Sequence, residues 1–532
     1  MSQYTQLERG GLFELTESAR TELMSSKYYN EDLAPTSVSQ RTWTTYNIAA
    51  LWIAMAICIP SFTMAAGMVG MGLSPWLAVF NVTLGNVIVL LPMQLNSAAG
   101  TKYGIPFPVF ARLTFGPIGA QFPALSRGLV ACGWNAVQCW IGGAAIAAII
   151  GVFAGGFLQM ERINFIGGEN IDPARLIGFF VFLIIVLFFS TRGSEGLKKM
   201  QAIAAPLLAL LTLAILVWST MLVINGGHSV GDIMTAGNDY ALLAQSGGTL
   251  MVFMIGLTAS IAFWATLALN ISDFSRYAVS QKAQFRGQLY GLPASMLFCS
   301  FVGAYFAQAT LIALGRRYFD PSAVLMNPNY IDNSIIILVA AVALAIITIT
   351  TTIVANVVAP ANVFSNLSPT KISYNTGVII TCVLTIVFRP WWIMGGPGQF
   401  ITAWLGTYGS ILAPIAAIFI ADYWFVKKRQ IDVMALYKGP EGRYWYQGGV
   451  NARAFIAWIL AVCLPLIDRM TTTPASAANN WTFDPGIFGG WLTANGYIFA
   501  FILGFIFYSL LMKSESASQV SDEEHEALTQ RA

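Results

Sequence analysis

The chain contains about twelve long apolar runs between Ile48 and Leu511, and their interiors hold almost no Asp, Glu, Lys, Arg or His. A helix needs roughly 20 apolar residues to cross a bilayer, and it satisfies its own backbone hydrogen bonds there. The chain is 56% hydrophobic and 10% charged, whereas soluble domains carry about 25% charged residues. The pattern predicts an all-α, polytopic membrane protein with twelve transmembrane helices. We place the spans at 48–69, 76–95, 128–157, 176–189, 203–224, 248–271, 290–314, 335–359, 376–388, 400–424, 454–467 and 490–511.

The distribution of positive charge predicts the orientation. When successive loops are assigned to alternating sides, 22 of the 28 Lys and Arg residues fall on one side. Positive residues accumulate in cytoplasmic loops. We therefore expect a multi-pass protein of the cell inner membrane with both termini in the cytoplasm.

Other features of the composition exclude several classes of protein. The first 46 residues are polar and rich in Glu, and they lack the basic and short apolar regions of a cleavable signal. A net charge of +3 is too small to indicate nucleic-acid binding. The six cysteines have no metal-binding spacing, which favours small core residues. No nucleophile–base pair or phosphate-binding loop is recognisable, so we do not expect an enzyme.

Two spans have interrupted helical patterns. Pro60 removes a backbone donor from span 1 and disfavours helix at Ile59. In span 6, Gly256 and a Thr258/Ser260 cluster precede Phe263 and Trp264, and we expect the interruption there. A simple proline kink is one interpretation of span 1. The other is a pair of broken helices at corresponding positions of two halves, which is typical of an inverted-repeat transporter with a central site.

Span 3 carries uncharged polar and aromatic residues where the bilayer disfavours polar groups. Trp134 and Gln138 are four residues apart and share a helical face, which Asn135 flanks. An indole offers a stacking surface, and an amide offers both a donor and an acceptor. This combination suits a neutral, planar, hydrogen-bonding ring. The alternative is that the amides join helices to one another.

Span 8 carries a run of hydroxyl groups, Thr350, Thr351 and Thr352, followed by Asn356. Such hydroxyls commonly bond back to the preceding turn, which is the alternative to ligand binding. Sodium, however, is a hard cation that prefers oxygen ligands, as calcium and magnesium do. Hydroxyls here and carbonyls freed near Pro60 would form a neutral cation site. No titratable group lies deep in a span, since Asp422 and Asp468 lie at span ends, and this favours sodium over proton coupling.

Four long segments carry a resemblance to a known family: residues 30–62, 98–143, 270–293 and 420–455. They include the motifs NIAALWIAMAICIPSF, GWNAVQCWIGG, NISDFSRYAVSQKAQFRGQLYGLP and IADYWFVKKRQ. The chain resembles the nucleobase-cation symporter-1 family, which includes hydantoin, allantoin, uracil and cytosine permeases. The resemblance implies a leucine-transporter-like fold with a 5+5 inverted repeat and two C-terminal helices. It divides the chain into a cytoplasmic N-terminal tail (1–46), a ten-helix transport core (47–425), a loop with two extra helices (426–511) and a cytoplasmic tail (512–532), which we expect to be disordered.

The resemblance also implies roles for particular residues. By position, Trp134 and Trp264 match the family's two ring-stacking tryptophans, and Gln138 and Asn356 match its substrate amides. Asn135 and Phe263 depart from the hydantoin-type pattern at the pocket edge, as does Cys58. We expect the substrate site to comprise Trp134, Asn135, Gln138, Phe263, Trp264 and Asn356. The matching sodium ligands are the carbonyls of Ala54, Ile57 and Ile347 and the hydroxyls of Thr350 and Thr351.

The sequence therefore predicts secondary active import of a small planar heterocycle, such as uracil, allantoin or hydantoin, with sodium as the coupling ion and no other cofactor. The alternative is a proton-coupled or uncoupled facilitator of the same solutes. The expected partners are the substrate and membrane lipid, without nucleic acid. The oligomeric state is left open.

Overall fold

The computed structural model describes residues 6–29, 31–165, 169–191, 194–327, 330–331, 333–367, 371–472, 484 and 486–513. Residues 514–532, most of the predicted C-terminal tail, lie outside the described residues, as do residues 1–5 of the N-terminal tail.

The N-terminal segment folds on one face of the molecule. It contains the strands β1 (Gln6–Arg9) and β2 (Leu12–Leu15), which form an antiparallel hairpin, and the helix α1 (Glu17–Met24). The buried Arg41 guanidinium holds this segment to the helix that ends at Tyr103. It donates hydrogen bonds to the carbonyls of Thr36 (3.0 Å) and Thr101 (2.9 Å). Arg41 thus ties the segment around Thr36 to this helix.

The first group of spans runs from Thr45 to Asn225. It comprises α2 (Thr45–Ala56), α3 (Ile59–Gly70), α4 (Pro75–Tyr103), α5 (Phe107–Phe115), α6 (Gln121–Phe153), a short hairpin of β3 (Ile163–Phe165) and β4 (Glu169–Ile171), α7 (Pro173–Thr191) and α8 (Ser194–Asn225). The helix α5 lies outside the predicted spans.

The predicted interruption of span 1 is present as a break between α2 and α3, which are bent by 58°. Ile57 and Cys58 have extended backbones. Pro60 lies in the first turn of α3, where a residue without an N–H leaves no intrahelical bond unmade. The break therefore precedes the proline by two residues, and the interpretation as a simple kink is wrong.

The second group of spans follows short linking helices. It comprises α9 (Asp232–Thr235), α10 (Tyr240–Gln245), α11 (Thr249–Ala262), α12 (Ala265–Asn270), α13 (Ser272–Ser275), α14 (Gln281–Leu314), α15 (Ser334–Thr352), α16 (Val358–Leu367), α17 (Tyr374–Val387), α18 (Pro390–Ile393) and α19 (Gly406–Ile420). Three π-helical segments, Ile353–Val357, Gly398–Leu405 and Ala421–Val426, extend these helices.

Span 6 is interrupted only locally: Thr249–Asn270 forms one span and lacks the sharp bend of span 1. The break lies at Phe263 and Trp264, between α11 and α12, whereas Gly256 and Thr258 lie inside α11. Gly256 has a packing role: a Cβ there would lie 3.0 Å from the Met68 sulfur. The glycine thus allows α11 to approach α3 closely and does not interrupt the helix.

The chain ends with α20 (Ala452–Thr471), α21 (Trp491–Ala494) and α22 (Gly496–Leu511). Among the described residues, eight helices are long and apolar enough to span a membrane. The broken pair α2–α3 forms one more span, and three shorter apolar helices complete the set. This set matches the twelve predicted spans.

Helix packing follows the repeat that the two breaks suggested. The broken span α2–α3 packs on α14, and the broken span α11–α12 packs on α4. Likewise, α8 packs on α14 and α15, while α19 packs on α4 and α6. In span numbers, span 1 packs on span 7 as span 6 packs on span 2. Span 5 packs on spans 7 and 8 as span 10 packs on spans 2 and 3. The two groups therefore form a structural repeat, in which the bent span 1 and the locally interrupted span 6 are corresponding helices.

Candidate functional site

An aromatic cluster lies where α6 meets the break of span 6. The rings of Trp134 and Phe263 have centroids 4.9 Å apart, and those of Phe263 and Trp264 are 5.1 Å apart. All three side chains are buried. The structure thus brings together three of the six predicted substrate residues, with Phe263 in contact with both indoles.

Span 10 completes this cluster with residues that the sequence analysis missed. Trp404 and Tyr408 contact each other (4.9 Å between centroids), and each lies within about 6.5 Å of the Trp134 ring. Their spacing of four residues on an apolar run was a usable signal, because such residues share a helical face. Gly133 makes room for them, since a Cβ there would overlap the Trp404 ring.

Gln138 and Asn356 are buried, and their side chains make no hydrogen bond within the described part of the chain. Gln138 lies one turn beyond Trp134 on α6. Asn356 lies in the π-helical segment Ile353–Val357, which packs on α6. Single-turn π segments frequently occur at functional sites. Neither amide is among the fully buried polar atoms that lack a partner, so their polar atoms keep accessible surface and are available for a ligand.

The Asn135 amide, by contrast, has hydrogen-bond partners in the protein. Its amide nitrogen donates to the Thr385 hydroxyl (2.8 Å), and its oxygen accepts a bond from the Thr352 hydroxyl (2.7 Å). The side chain is fully buried between α6, α15 and α17. These contacts favour the alternative role of joining helices, and the assignment of Asn135 to the substrate site stays a prediction. The same contacts assign Thr352 to helix packing.

The break of span 1 leaves carbonyl oxygens free for a cation. No hydrogen bond to the Ala54 or Ile57 carbonyl occurs among the described residues, because the helix ends with the Ile57 N–H bonded to Ile53. Ala54 is exposed and Ile57 is half-buried. Freed carbonyls of this kind are found where transporter helices unwind around a bound ion.

The hydroxyls of span 8 bond back to their own helix, as the alternative interpretation expected. Thr350 donates to the Ile347 carbonyl at 2.8 Å, and Thr351 donates to the same carbonyl at 2.9 Å. A hydroxyl that donates in this way retains lone pairs that a cation can use. The helix α15 packs chiefly on α6 and α8, so the two predicted halves of the cation site are not closely packed in this conformation.

Close packing joins α3 to the start of span 10. A Cβ on Gly67 would lie 2.8 Å from the Ile401 side chain, and one on Gly70 would lie 3.2 Å from Pro397. The helix α3 and the π-helical start of span 10 are therefore in tight contact. On the other side of the break, Ile53 in α2 is 46% exposed.

Asp273 is a half-buried acid that follows span 6. It lies outside the spans in α13 and accepts hydrogen bonds from the Phe107 N–H (2.7 Å) and the Asn270 amide (3.2 Å). Burial raises the pKa of this carboxyl above its ordinary value, and the positive charge of Arg127 partly opposes the rise. Protonation of this carboxyl is how the proton-coupled alternative would couple transport to a proton gradient.

Sequence comparison assigns the chain to a family. Residues 35–483 match the family described as permeases for cytosine and purines, uracil, thiamine and allantoin. The chain is 34% identical to the purine-uracil permease NCS1 of Arabidopsis thaliana, with 94% of this chain and 80% of the relative covered. It is 32% identical to the allantoin permease of Bacillus subtilis, with 94% and 96% covered.

Solved structures show the same fold. The inward-facing conformation of Mhp1 matches with a TM-score of 0.72 at 21% identity, covering 92% of this chain and 94% of that one. Mhp1 in a closed conformation with bromovinylhydantoin bound, described as a nucleobase-cation-symport-1 family transporter, matches with a TM-score of 0.68 at 22% identity. The fold expected from the resemblance is confirmed. The chain belongs to the family of permeases for cytosine and purines, uracil, thiamine and allantoin, whose members are membrane transporters and not enzymes.

Proposed function

We propose that the protein imports a nucleobase-like or hydantoin-like ring, such as uracil or allantoin, across the inner membrane by sodium-coupled alternating access. The observation that carries this proposal is the pair of unpartnered amides, Gln138 and Asn356, beside the aromatic cluster. Indoles bind the faces of a planar ring, and amides bind its edge. The names of the relatives, purine-uracil and allantoin permeases, indicate the same class of solute.

In this proposal, Trp134 and Trp264 bind the faces of the substrate ring and Phe263 lies at its edge. Gln138 and Asn356 each donate to and accept from its amide groups. A site built on buried hydrogen bonds discriminates against rings that lack them, because its own groups are then unpaired.

Sodium would bind between spans 1 and 8, through the carbonyls of Ala54, Ile57 and Ile347 and the hydroxyls of Thr350 and Thr351. The free carbonyls at the break of span 1 support this arrangement. Closure of span 8 onto span 1 would assemble the ligands. Because binding free energies are linked, sodium and substrate then raise each other's affinity by the same factor.

Radiolabelled uptake into proteoliposomes tests the proposal, with uracil, cytosine, allantoin, hydantoin and purines as competitors, with and without a sodium gradient. We expect sodium-dependent uptake, which the double variant Thr350→Ala/Thr351→Val abolishes. Thr348→Val is the matched control, because Thr348 makes the same back-bond, to Leu344, at 2.7 Å. Uptake that ignores sodium and stops when a proton gradient is dissipated would favour the proton-coupled alternative.

The proposed orientation places both termini in the cytoplasm. It rests on the charge asymmetry of the loops and predicts that reporter domains fused after Met512 and before Gln6 are both inaccessible to an external protease. Cleavage of either fusion in intact cells would contradict it.

A further inference from the structure

A charged side chain lies on the same face of α6 as two of the proposed substrate residues. Arg127 is only 6% exposed. It precedes Trp134 by seven residues and Gln138 by eleven, and these spacings place all three on one face of the helix. Arg127 is about 10 Å from Trp134 along the helix axis, toward the start of α6. By the charge asymmetry of the loops, this is the cytoplasmic end of the span.

The Arg127 guanidinium makes few contacts with polar groups in this conformation. Its Nε and Nη1 atoms are buried and have no hydrogen-bond partner within the described part of the chain. Its Nη2 atom lies 3.5 Å from the Ala355 carbonyl, at the outer limit of a hydrogen bond. An ionisable group within a membrane span is expensive and indicates a function that involves a partner. The guanidinium therefore calls for an anionic partner that this conformation does not supply.

Asp273 is an acid within the electrostatic reach of Arg127, since the positive charge of Arg127 acts on the pKa of its carboxyl. One carboxylate oxygen accepts from the Phe107 N–H and the other from the Asn270 amide. A carboxylate can accept about four hydrogen bonds, so both oxygens remain able to bind a guanidinium. No ion pair between Asp273 and Arg127 occurs among the described residues in this conformation.

Arg127 and Asp273 belong to different groups of spans. Arg127 lies in α6, within the first group, and Asp273 lies in α13, directly after span 6 of the second group. Both lie at the ends of their spans that the charge asymmetry assigns to the cytoplasm. A charged pair between two elements that move relative to each other forms in one conformation and is open in the other.

We propose that Arg127 is a positioning residue of the transport cycle: its guanidinium pairs with the Asp273 carboxylate when the cytoplasmic side of the substrate site closes. This inference rests on the proposed function and deepens it by naming a contact that stabilises the closed conformation. Loss of either charge would leave the substrate residues in place and disfavour closure. It should therefore slow transport more than it weakens binding.

The test compares initial rates of uptake into proteoliposomes with binding to purified protein, using radiolabelled uracil or allantoin, whichever the wild type transports. We expect Arg127→Gln and Asp273→Asn each to slow uptake by about tenfold or more, because the remaining charge is unpaired in the closed conformation. Affinity should change less than about threefold. The double variant Arg127→Gln/Asp273→Asn should be no slower than the slower single variant, because the two groups act as one unit.

Arg112→Gln is the matched control. Arg112 is also buried, but it donates to the Tyr28 carbonyl at 3.0 Å in this conformation. Its loss should lower stability without separating uptake from binding. Arg127→Lys covers the case in which the glutamine variant does not fold, because it keeps the positive charge and should retain more uptake than Arg127→Gln.

Folded single variants with wild-type uptake would overturn the inference. So would losses of uptake that multiply in the double variant, since that is the behaviour of independent residues. A wild-type protein that neither binds nor transports any ring would instead contradict the proposed function.

Discussion

The hydroxyl of Tyr408 donates a hydrogen bond to the carbonyl of Ala262, 2.9 Å away, at the residue where α11 ends. This bond joins span 10 to the break of span 6, one residue before Phe263. It therefore stabilises the broken geometry on which the aromatic cluster depends.

We expect Tyr408→Phe to destabilise the protein by ~0.5–1.5 kcal/mol, because a buried hydrogen bond is lost, and to weaken substrate binding in parallel. Thermal unfolding and binding measured on one purified sample check both effects. Tyr497→Phe is the matched control, since the buried Tyr497 hydroxyl makes no hydrogen bond within the described part of the chain. Equal behaviour of the two variants would show that the Tyr408 bond does not hold the break.

Trp134→Ala should weaken substrate binding about tenfold while leaving expression intact. Stacking of a ring on an aromatic side chain contributes ~1–3 kcal/mol by alanine substitution, and tenfold lies within that range. Trp76→Ala is a suitable control, because Trp76 is 56% exposed on α4. Unchanged affinity in folded Trp134→Ala protein would remove the indole from the site.

Asn135 and Gln138 provide a contrast between two amides on one helix. Asn135→Leu should lower stability by ~1–3 kcal/mol, because it leaves the hydroxyls of Thr352 and Thr385 unpaired. Gln138→Leu should preserve or raise stability and abolish substrate binding, since its amide has no protein partner to lose. Unfolding and binding curves for both variants separate the roles. Stable Asn135→Leu protein with altered competitor selectivity would instead place Asn135 in the substrate site.

The sequence predicted the spans and one of the breaks because their causes are local. Hydrophobic length follows from the thickness of the bilayer, and Pro60 lies within three residues of the break in span 1. The break of span 6 has a non-local cause. The Ala262 carbonyl beside it accepts a hydrogen bond from Tyr408, which lies 146 residues further along the chain. The sequence analysis pointed to Gly256, but this glycine allows close packing of α11 on α3.

The direction in which the Asn135 side chain points is a second feature that the sequence did not predict. Residues 135 and 138 are separated by less than one helical turn, so the pattern alone could not say which amide faces another helix. Only the positions of Thr352 and Thr385, on helices far away in the sequence, decide it. The family resemblance pointed to this part of α6 but did not separate its two faces.

A buried ion pair holds the loop after span 7 against the start of span 4. Arg175 and Asp320 are 2.6 Å apart, and their side chains are 10% and 5% exposed. Arg175 also donates to the Trp140 carbonyl at 3.1 Å, next to the site on α6. Removing one partner of a buried pair leaves an uncompensated charge, which costs ~3–5 kcal/mol.

We therefore expect Asp320→Ala to lower the unfolding temperature strongly, whereas the double variant Arg175→Met/Asp320→Ala should recover part of the loss because it leaves no unpaired charge. The control is the more exposed pair Arg317–Asp239, at 3.1 Å with side chains 20% and 31% exposed. Breaking that pair should cost only ~0–1 kcal/mol. Thermal unfolding of all variants in one detergent gives the comparison. If the double variant were no more stable than Asp320→Ala, the loss of stability would come from packing around Asp320 and not from the unpaired charge of Arg175.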